Sequence, residues 1–423
     1  MKRGFFTAEQ VSVVSKADSI IPRCGQCGLY RTCKAPRMLP YGMGKKKILI
    51  VGEAPGRTED EYIEKDQGKI VRRGRQFIGE SGQYLRDILT DCGIDMDEDC
   101  WATNSLICRP PGNKLPSNPT SLIEACRPNL LRTVKELSPN VVILLGGVAC
   151  KSLIPHLWKD EVGQAGTWGG WQIPSHVINA WVCPTFHPAY LLYQPGPTLE
   201  MKFRQDLGRA AKLKSKPWDA VPDWPSKVER IFRPLEAVKS IQEMVRQAKI
   251  KKVPIAADYE TNCLKPEYEG AEIICCSMSI GSWTIAYPWA GEAIDATSEM
   301  WQSDPGKVAS NMKFEDRWTR YFLRHPVRHW YWDTMIAAHV LDNRDGVTNV
   351  KFQGFVQCGA KYWAQHVDDK LESKNGRHLN RIRELDLRDL LRYNALDSKI
   401  EWEVCKKQVR QMERQNVNAT GVY

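Results

Sequence analysis

The sequence predicts two α/β domains in tandem. Three observations predict them. The chain has 423 residues, more than one domain usually needs. Short apolar runs alternate with helix-patterned stretches through the first half, and a new set of such runs opens the second. Between them lies Lys216-Pro-Trp-Asp-Ala-Val-Pro-Asp-Trp-Pro225, with three prolines in ten residues, which reads as a linker. The expected boundaries are 1–214 for the first domain, 215–228 for the linker and 229–423 for the second domain.

Lys46 to Val51 reads as a buried strand entering a Gly/Pro turn. Trp101 to Asn104, Val141 to Leu145 and Trp181 to Pro184 read as three more short strands. Tyr84, Leu85, Ile88 and Leu89 mark one apolar helical face, and Leu122, Ala125, Leu130 and Val134 mark others. Strands alternating with helices predict a parallel sheet covered on both faces. After the linker, a helix is expected over Leu235 to Ala248. Pro254 to Glu260, Ile273 to Ser279 and Trp283 to Tyr287 then read as three consecutive strands, and the remainder as mostly helical. There is no internal repeat and no long low-complexity tract.

Charged residues make up 26% and hydrophobic residues 42% of the chain, which fits soluble globular domains. The formal net charge of +10 favours a polyanionic partner. Met1-Lys-Arg-Gly4 is not followed by an apolar core, so no secretory signal is expected. Val141 to Leu145 is far shorter than the ~20 residues of a spanning helix, so no membrane segment is expected either. A cytoplasmic location follows. In that reducing compartment the fourteen cysteines are read as metal ligands and core residues before disulfides.

Cys24-Gly-Gln-Cys27 is a tight pair, and Cys108 and Cys126 form a wider one. Four thiolates of this kind can hold a [4Fe–4S] cluster or a structural zinc. Cys33 is a nearby spare. Around these cysteines five motifs occur in order: Val51-Gly-Glu-Ala-Pro-Gly56, Gly74-Arg-Gln-Phe-Ile-Gly79, Thr103-Asn104, Cys108-Arg-Pro-Pro-Gly-Asn113 and His187-Pro-Ala-Tyr-Leu-Leu192. Together they resemble the family 4 uracil-DNA glycosylases over about residues 20–210. The resemblance implies a [4Fe–4S] cluster on Cys24, Cys27, Cys108 and Cys126.

It also implies a pocket for a flipped-out uracil. Gly52 and Phe77 would contact the base, Phe77 by stacking, and the Asn104 amide would read its polar edge. His187 would stabilise the departing anionic base, and Glu53 would orient the base or the attacking water. Pro188 to Leu192 would wedge into the gap left in the DNA. Ala54 stands where another glycosylase family carries a water-activating Asp, so catalysis is expected mainly from transition-state electrostatics. Asp66 to Arg75 looks like an insertion, whose four Lys/Arg residues would meet phosphates.

In the second half Asp258 and Glu260 are two apart on a predicted strand, so both face one way. Paired carboxylates suit divalent metals. Tyr393 and Asp397 are four apart on a helix predicted over Leu385 to Lys406. With Asn311-Met-Lys-Phe-Glu315, these residues resemble the tyrosine-containing DEDD 3′→5′ exonucleases, an RNase H-like fold, over about residues 228–415. The likeness is strongest to the proofreading domain of family A DNA polymerases. It implies two Mg2+ or Mn2+ ions held by Asp258, Glu260, Glu315 and Asp397, with Tyr393 orienting water. Asn311 and Phe314 would support the site. Glu315 stands where the family has Asp, and Asp316 is the reserve ligand.

The expected function is excision of uracil from DNA coupled to trimming of DNA 3′ ends. Since the sequence stops soon after the third nuclease motif, proofreading in trans for a separate polymerase is expected, as a phage would use it in its host's cytoplasm. The competing reading is a glycosylase fold that senses uracil or DNA without cutting, beside a working nuclease.

Overall fold

The structure is a computed structural model and describes residues 22–159, 163, 165–372 and 379–415. Met1 to Gly4 lie outside the described residues. The chain divides into two compact units, Met1–Ala220 and Val221–Tyr423.

The first unit opens with a one-turn helix, α1 (Cys24–Cys27). Strand β1 (Ile48–Gly52) and helix α2 (Arg57–Glu61) lead into a hairpin of β2 (Ile63–Asp66) and β3 (Lys69–Arg73). Then come α3 (Glu80–Asp91), α4 (Met96–Asp99), β4 (Cys100–Asn104), α5 (Thr120–Leu137), β5 (Val141–Leu145) and α6 (Gly146–Leu157). The unit ends with β6 (Ile173–Ser175), β7 (Ala180–Thr185), α7 (Pro188–Tyr193) and α8 (Pro197–Ala211).

Its sheet has the order β4-β1-β5-β7-β6. The first four strands are parallel. Every residue of β1 and β5 is buried, because a parallel sheet is covered on both faces, and so both read as unbroken apolar runs. The expected parallel sheet is present, with an added edge strand, β6, that pairs antiparallel with β7. Ile173-Pro-Ser175 is too short to show a period, and its proline is tolerated because the strand is at the edge.

In the second unit β8 (Val228–Arg230) and α9 (Pro234–Lys251) precede β9 (Ile255–Thr261), β10 (Ile273–Ser279) and β11 (Thr284–Pro288). Helix α10 (Glu292–Gln302), β12 (Lys307–Ala309), α11 (Met312–Leu323), β13 (Trp330–Asp333) and α12 (Thr334–Leu341) follow. The last described elements are α13 (Val350–Cys358), α14 (Asp368–Leu371) and the long α15 (Leu387–Arg414).

The sheet order is β13-β12-β9-β10-β11-β8. β9, β10 and β11 form an antiparallel meander, and β12 joins β9 in parallel. The rest of the unit is mostly helical, as expected, with the short strands β12 and β13 set between its helices. Three- and four-residue strands flanked by helices leave no alternation to detect. Ala257 and Tyr259 of β9 pack into the core with α9 and α10, while Ala256 packs with Cys405 of α15. The acids of β9 share the Ala256 face, so they point to α15. No helix among the described residues is long and apolar enough to cross a membrane.

Candidate functional site

The residues expected to hold a base gather at the carboxyl ends of the parallel strands, the usual ligand position in such sheets. Gly52 ends β1 and lies in register with Asn104, which ends β4. His187 follows β7 and packs over Gly146, the first residue after β5. Gly52 has no substitute here. A Cβ on it would meet Asn104 Oδ1 at 2.4 Å and Phe77 Cζ at 2.7 Å, so amide and ring close over its bare backbone.

Asn104 is buried, yet its Nδ2 has no hydrogen-bond partner among the described residues. A buried donor left in that state is costly unless a ligand supplies the acceptor. Phe77 is buried and held at φ 56°. Glu59 fixes it there, accepting from Phe77 N–H through one carboxylate oxygen and from Gly56 N–H at 2.5 Å through the other. Burial raises the Glu59 pKa, and these N–H donors oppose that shift.

Burial pulls the His187 imidazole down to about 4, so it is neutral at physiological pH. Its Nδ1 accepts from Ala189 N–H at 3.3 Å, which assigns the proton to Nε2. Burial also raises the Glu53 carboxyl.

Cys24, Cys27, Cys108 and Cys126 line one hollow with Leu29, Tyr30 and Leu106. All four are free thiols. Burial pushes Cys108 up to about 12 and Cys126 to about 11. The charges of Cys24 and Cys27 add to the rise at Cys126. Arg37 N–H donates to Cys108 Sγ at 3.2 Å, and Asn129 Nδ2 to Cys126 Sγ at 3.6 Å. Apolar walls, converging thiols and N–H donors to sulfur fit a cationic iron–sulfur core. A single tetrahedral zinc would draw its sulfurs to about 3.8 Å of one another, from Zn–S bonds of about 2.3 Å. Among the described residues, no three of these sulfurs lie within 4.8 Å of one another. Cys33 packs at the edge of this group, against the apolar cluster that holds Cys108.

In the second unit, ligand oxygens of Asp258, Glu260 and Asp397 lie within 4.8 Å of one another, the arrangement of a divalent-ion site. Burial raises the carboxyls of Asp258 and Glu260, and the charge of Asp397 raises both further. Asn394 Nδ2 donates to Asp258 Oδ2 at 2.6 Å. Asp397 Oδ1 accepts from Trp363 Nε1 at 3.1 Å and from the Lys351 ammonium at 2.8 Å. Lys351 also donates to the Tyr393 hydroxyl at 2.8 Å. Burial and the neighbouring carboxylates keep that phenol protonated.

Glu315 stands outside the 4.8 Å group. It is 2% exposed, and the charge of Asp258 bears on it. Asp316 is engaged elsewhere, accepting from Arg320 Nε at 2.5 Å and Val327 N–H at 2.9 Å. Asn311 sits at φ 71° before α11, and Phe314 packs on Trp318 with ring centroids 5.9 Å apart. The Asp333 carboxylate holds this turn through the N–H groups of Asn311 and Met312.

The uracil DNA glycosylase superfamily matches residues 39–208. The type-4 uracil-DNA glycosylase of Pyrobaculum aerophilum is 33% identical over 198 residues, which is 46% of this chain and 91% of that protein. That of Archaeoglobus fulgidus is 30% identical over 203 residues, 46% of this chain and 89% of that protein. The chain belongs to the type-4 uracil-DNA glycosylase family. Solved structures similar to the chain include Escherichia coli RNase D, described as an exoribonuclease involved in structured RNA processing. It has 14% identity, 46% of this chain and 48% of that chain covered, and a TM-score of 0.32. The Aedes aegypti Nibbler EXO domain has 13% identity, 47% and 94% coverage, and a TM-score of 0.34.

Two expectations about this type-4 glycosylase chain change. Pro188 to Leu192 is not a free wedge, since Pro188 and Leu191 are buried and only Tyr190 and Tyr193 stand well out of the surface. The basic insertion is the β2–β3 hairpin, and only Lys69 and Arg73 of its four cations are exposed and unspent. Arg72 donates to Pro40 O at 3.1 Å, and Arg75 pairs with Asp97 at 2.8 Å. Sequence reading missed Glu59, Lys351, Trp363 and Asn394. Of these, Asn394 alone lies inside a quoted motif, between Tyr393 and Asp397.

Proposed function

We propose that the chain excises uracil from DNA with its first unit and hydrolyses DNA 3′ ends with its second. The observation that carries the first half is the unpartnered Nδ2 of Asn104, a buried amide whose Oδ1 lies over Gly52 beside Phe77. It offers a donor to a base carbonyl such as uracil O4. Phe77 stacks on the ring, and Gly52 gives both groups room. His187 Nε2–H then donates to uracil O2 as the glycosidic bond breaks and negative charge collects on the base. A neutral donor suits this step, since it stabilises the anion without adding a proton acid to the pocket. Glu53 positions the water that completes the reaction. Cys24, Cys27, Cys108 and Cys126 hold a [4Fe–4S] cluster, which braces α1 against α5 and the Cys108 loop.

For the second half, Asp258, Glu260 and Asp397 support a divalent-ion site, with Glu315 beside it. Bound Mg2+ or Mn2+ would supply Lewis acidity at the scissile phosphate. Tyr393 orients the attacking water through its protonated hydroxyl. Lys351 and Trp363 hold Asp397 in place.

The test uses anaerobically purified protein and a 5′-labelled single strand carrying one uracil. In EDTA, an alkali-labile break at the uracil is expected and end-trimming is not. With Mg2+ in place of EDTA, shortening from the 3′ end is expected. An intact strand in EDTA would leave a uracil-sensing role for the first unit, and failure to shorten in Mg2+ would remove the nuclease.

A further inference from the structure

We propose that the β2–β3 hairpin is a DNA-gripping arm, which lays one face along the strand that flanks the base held in the first unit. The inference rests on the uracil-excision reading of that unit. That reading assigns the pocket for the base, and this one assigns a surface for the polymer around it.

The register of the hairpin sorts its side chains. Residues directly opposite in an antiparallel pair share a face, and so do residues two apart on one strand. Ile63 lies opposite Arg73, and Lys65 opposite Ile70. Glu64 lies opposite Arg72, and Asp66 opposite Lys69. The register shifts by one residue between Glu64 and Lys65, which leaves Val71 as the extra residue of a bulge. Without that bulge Ile70 would fall on the face of the two acids. With it, one face carries Ile63, Lys65, Ile70 and Arg73 and no carboxylate, while both acids lie on the other.

The acidic face is the one turned to the body. Arg72 on that face donates to Leu39 O at 3.3 Å and to Pro40 O at 3.1 Å, and its guanidinium lies 4.8 Å from the centre of the Tyr41 ring. The other face is therefore free. Ile63 and Ile70 are each 45% exposed, more than a folded core would leave open. Lys65 and Arg73 are exposed as well, and make no ion pair among the described residues.

The root of the arm is fixed beside the pocket. Gly74 N–H donates to Tyr62 O at 2.9 Å, and Arg75 N–H to Glu59 O at 3.2 Å. Glu59 is the residue whose carboxylate holds Gly56 and Phe77. Phe77 follows Gly74 by three residues, at most about 10–11 Å of chain. Gln67 at φ 46° and Gly68 at φ 80° close the far end in a two-residue turn. Four strand residues between root and turn reach about 13–14 Å, the rise of about four base pairs. A strand whose base enters the pocket thus passes within the arm's reach.

The chemistry of the free face selects the partner. Cations without acids favour a polyanion. Aliphatic side chains beside them suit deoxyribose and the base faces that a flipped nucleotide leaves unstacked. Pro188 and Leu191 of α7, expected in that apolar role, are buried.

The test measures binding of a labelled single strand carrying one uracil, in EDTA and over a range of salt, by the full chain with its cluster loaded. Uracil release is followed on the same strand. Lys65→Ser with Arg73→Ser is expected to weaken binding by about 10-fold and to reduce the salt slope by about 1.4, at about 0.7 for each lost phosphate contact. Ile63→Ser with Ile70→Ser is expected to weaken binding by about 10-fold with the slope unchanged. In both, KM for release should rise while kcat holds. Lys69→Ser, an exposed cation on the other face, is the control that should alter neither. The lysine–arginine pair reads the same face should the isoleucine pair unsettle the hairpin. Equal losses from Lys69→Ser and Lys65→Ser would reduce the arm to diffuse charge and overturn the inference. Binding that none of these variants alters would overturn it too. So would an isoleucine pair whose loss changes self-association in sedimentation and not DNA binding, which would make the face a contact between copies. If the wild type binds through this face yet releases no uracil, the arm stands and the excision reading falls.

Discussion

Three of the groups proposed to face the base in the first unit are uncharged, the Asn104 amide, the Phe77 ring and an imidazole that burial keeps neutral down to about pH 4, and Glu53 is the one carboxyl among them. Those facing one another in the second unit are carboxylates, with the Lys351 ammonium lodged against Asp397. The first set needs no bound cation to balance it. The acidic one gathers like charges in a buried place, which raises the Asp258 and Glu260 carboxyls and makes it the side expected to exchange protons for cations. If both sites work as proposed, they should answer differently to chelators and to pH.

The largest expected effect is on the acidic side. Asp258→Asn should lower 3′-end trimming by at least about 100-fold and leave uracil release in EDTA unchanged, measured on the same labelled strand. Loss of both activities would break the comparison. Next, Asn104→Ala should slow uracil release by about 10²–10³-fold with trimming intact, read from single-turnover rates.

Gly52→Ala sharpens the geometric part. Its Cβ displaces the Asn104 amide and Phe77, so release should fall nearly as far, by about 10²-fold. Gly79→Ala, with nothing within 4 Å of the added carbon, is the control that should keep its rate.

The pH dependences should then diverge. Protons compete with ions for Asp258 and Glu260, whose pKa values are raised. Mn2+ affinity should therefore climb by about 10-fold from about pH 6 to about pH 8. His187 does not titrate in that range, so release in EDTA should show no step near 6.5. The unfolded imidazole takes a proton below about 6.5 and the folded one only below about 4. The unfolded state thus binds more protons between those values. Stability of the first unit should fall as pH drops through that window, as urea melts would show. The smallest effect is expected for Glu59→Gln, which keeps one acceptor for Phe77 and Gly56. Release should slow by about 10-fold with no change in the melting profile beyond a few degrees.

What the sequence made legible was local. Strands buried on both faces, such as Val141 to Leu145, announce themselves because every residue must be apolar. Asp258 with Glu260, and Tyr393 with Asp397, are readable because strand and helix periods place each pair on one face. The residues that escaped act across the fold. Lys351 reaches Tyr393 from another helix, forty-two positions away in sequence, and as a lysine near a helix start it reads as solvated. Glu59 reads as an ordinary first-turn acid, and its hold on Phe77 depends on where residue 77 returns.

The β2–β3 hairpin closes on itself at the base, where Gly74 N–H donates to Tyr62 O at 2.9 Å. The backbone thus enters and leaves it at nearly one point, in sequence between the Gly52–Gly56 turn and Phe77. For an engineer that base is a socket. The rod plugged into it should tolerate being shortened, lengthened or exchanged for another, with the floor formed by Gly52, Phe77 and Asn104 left as it is.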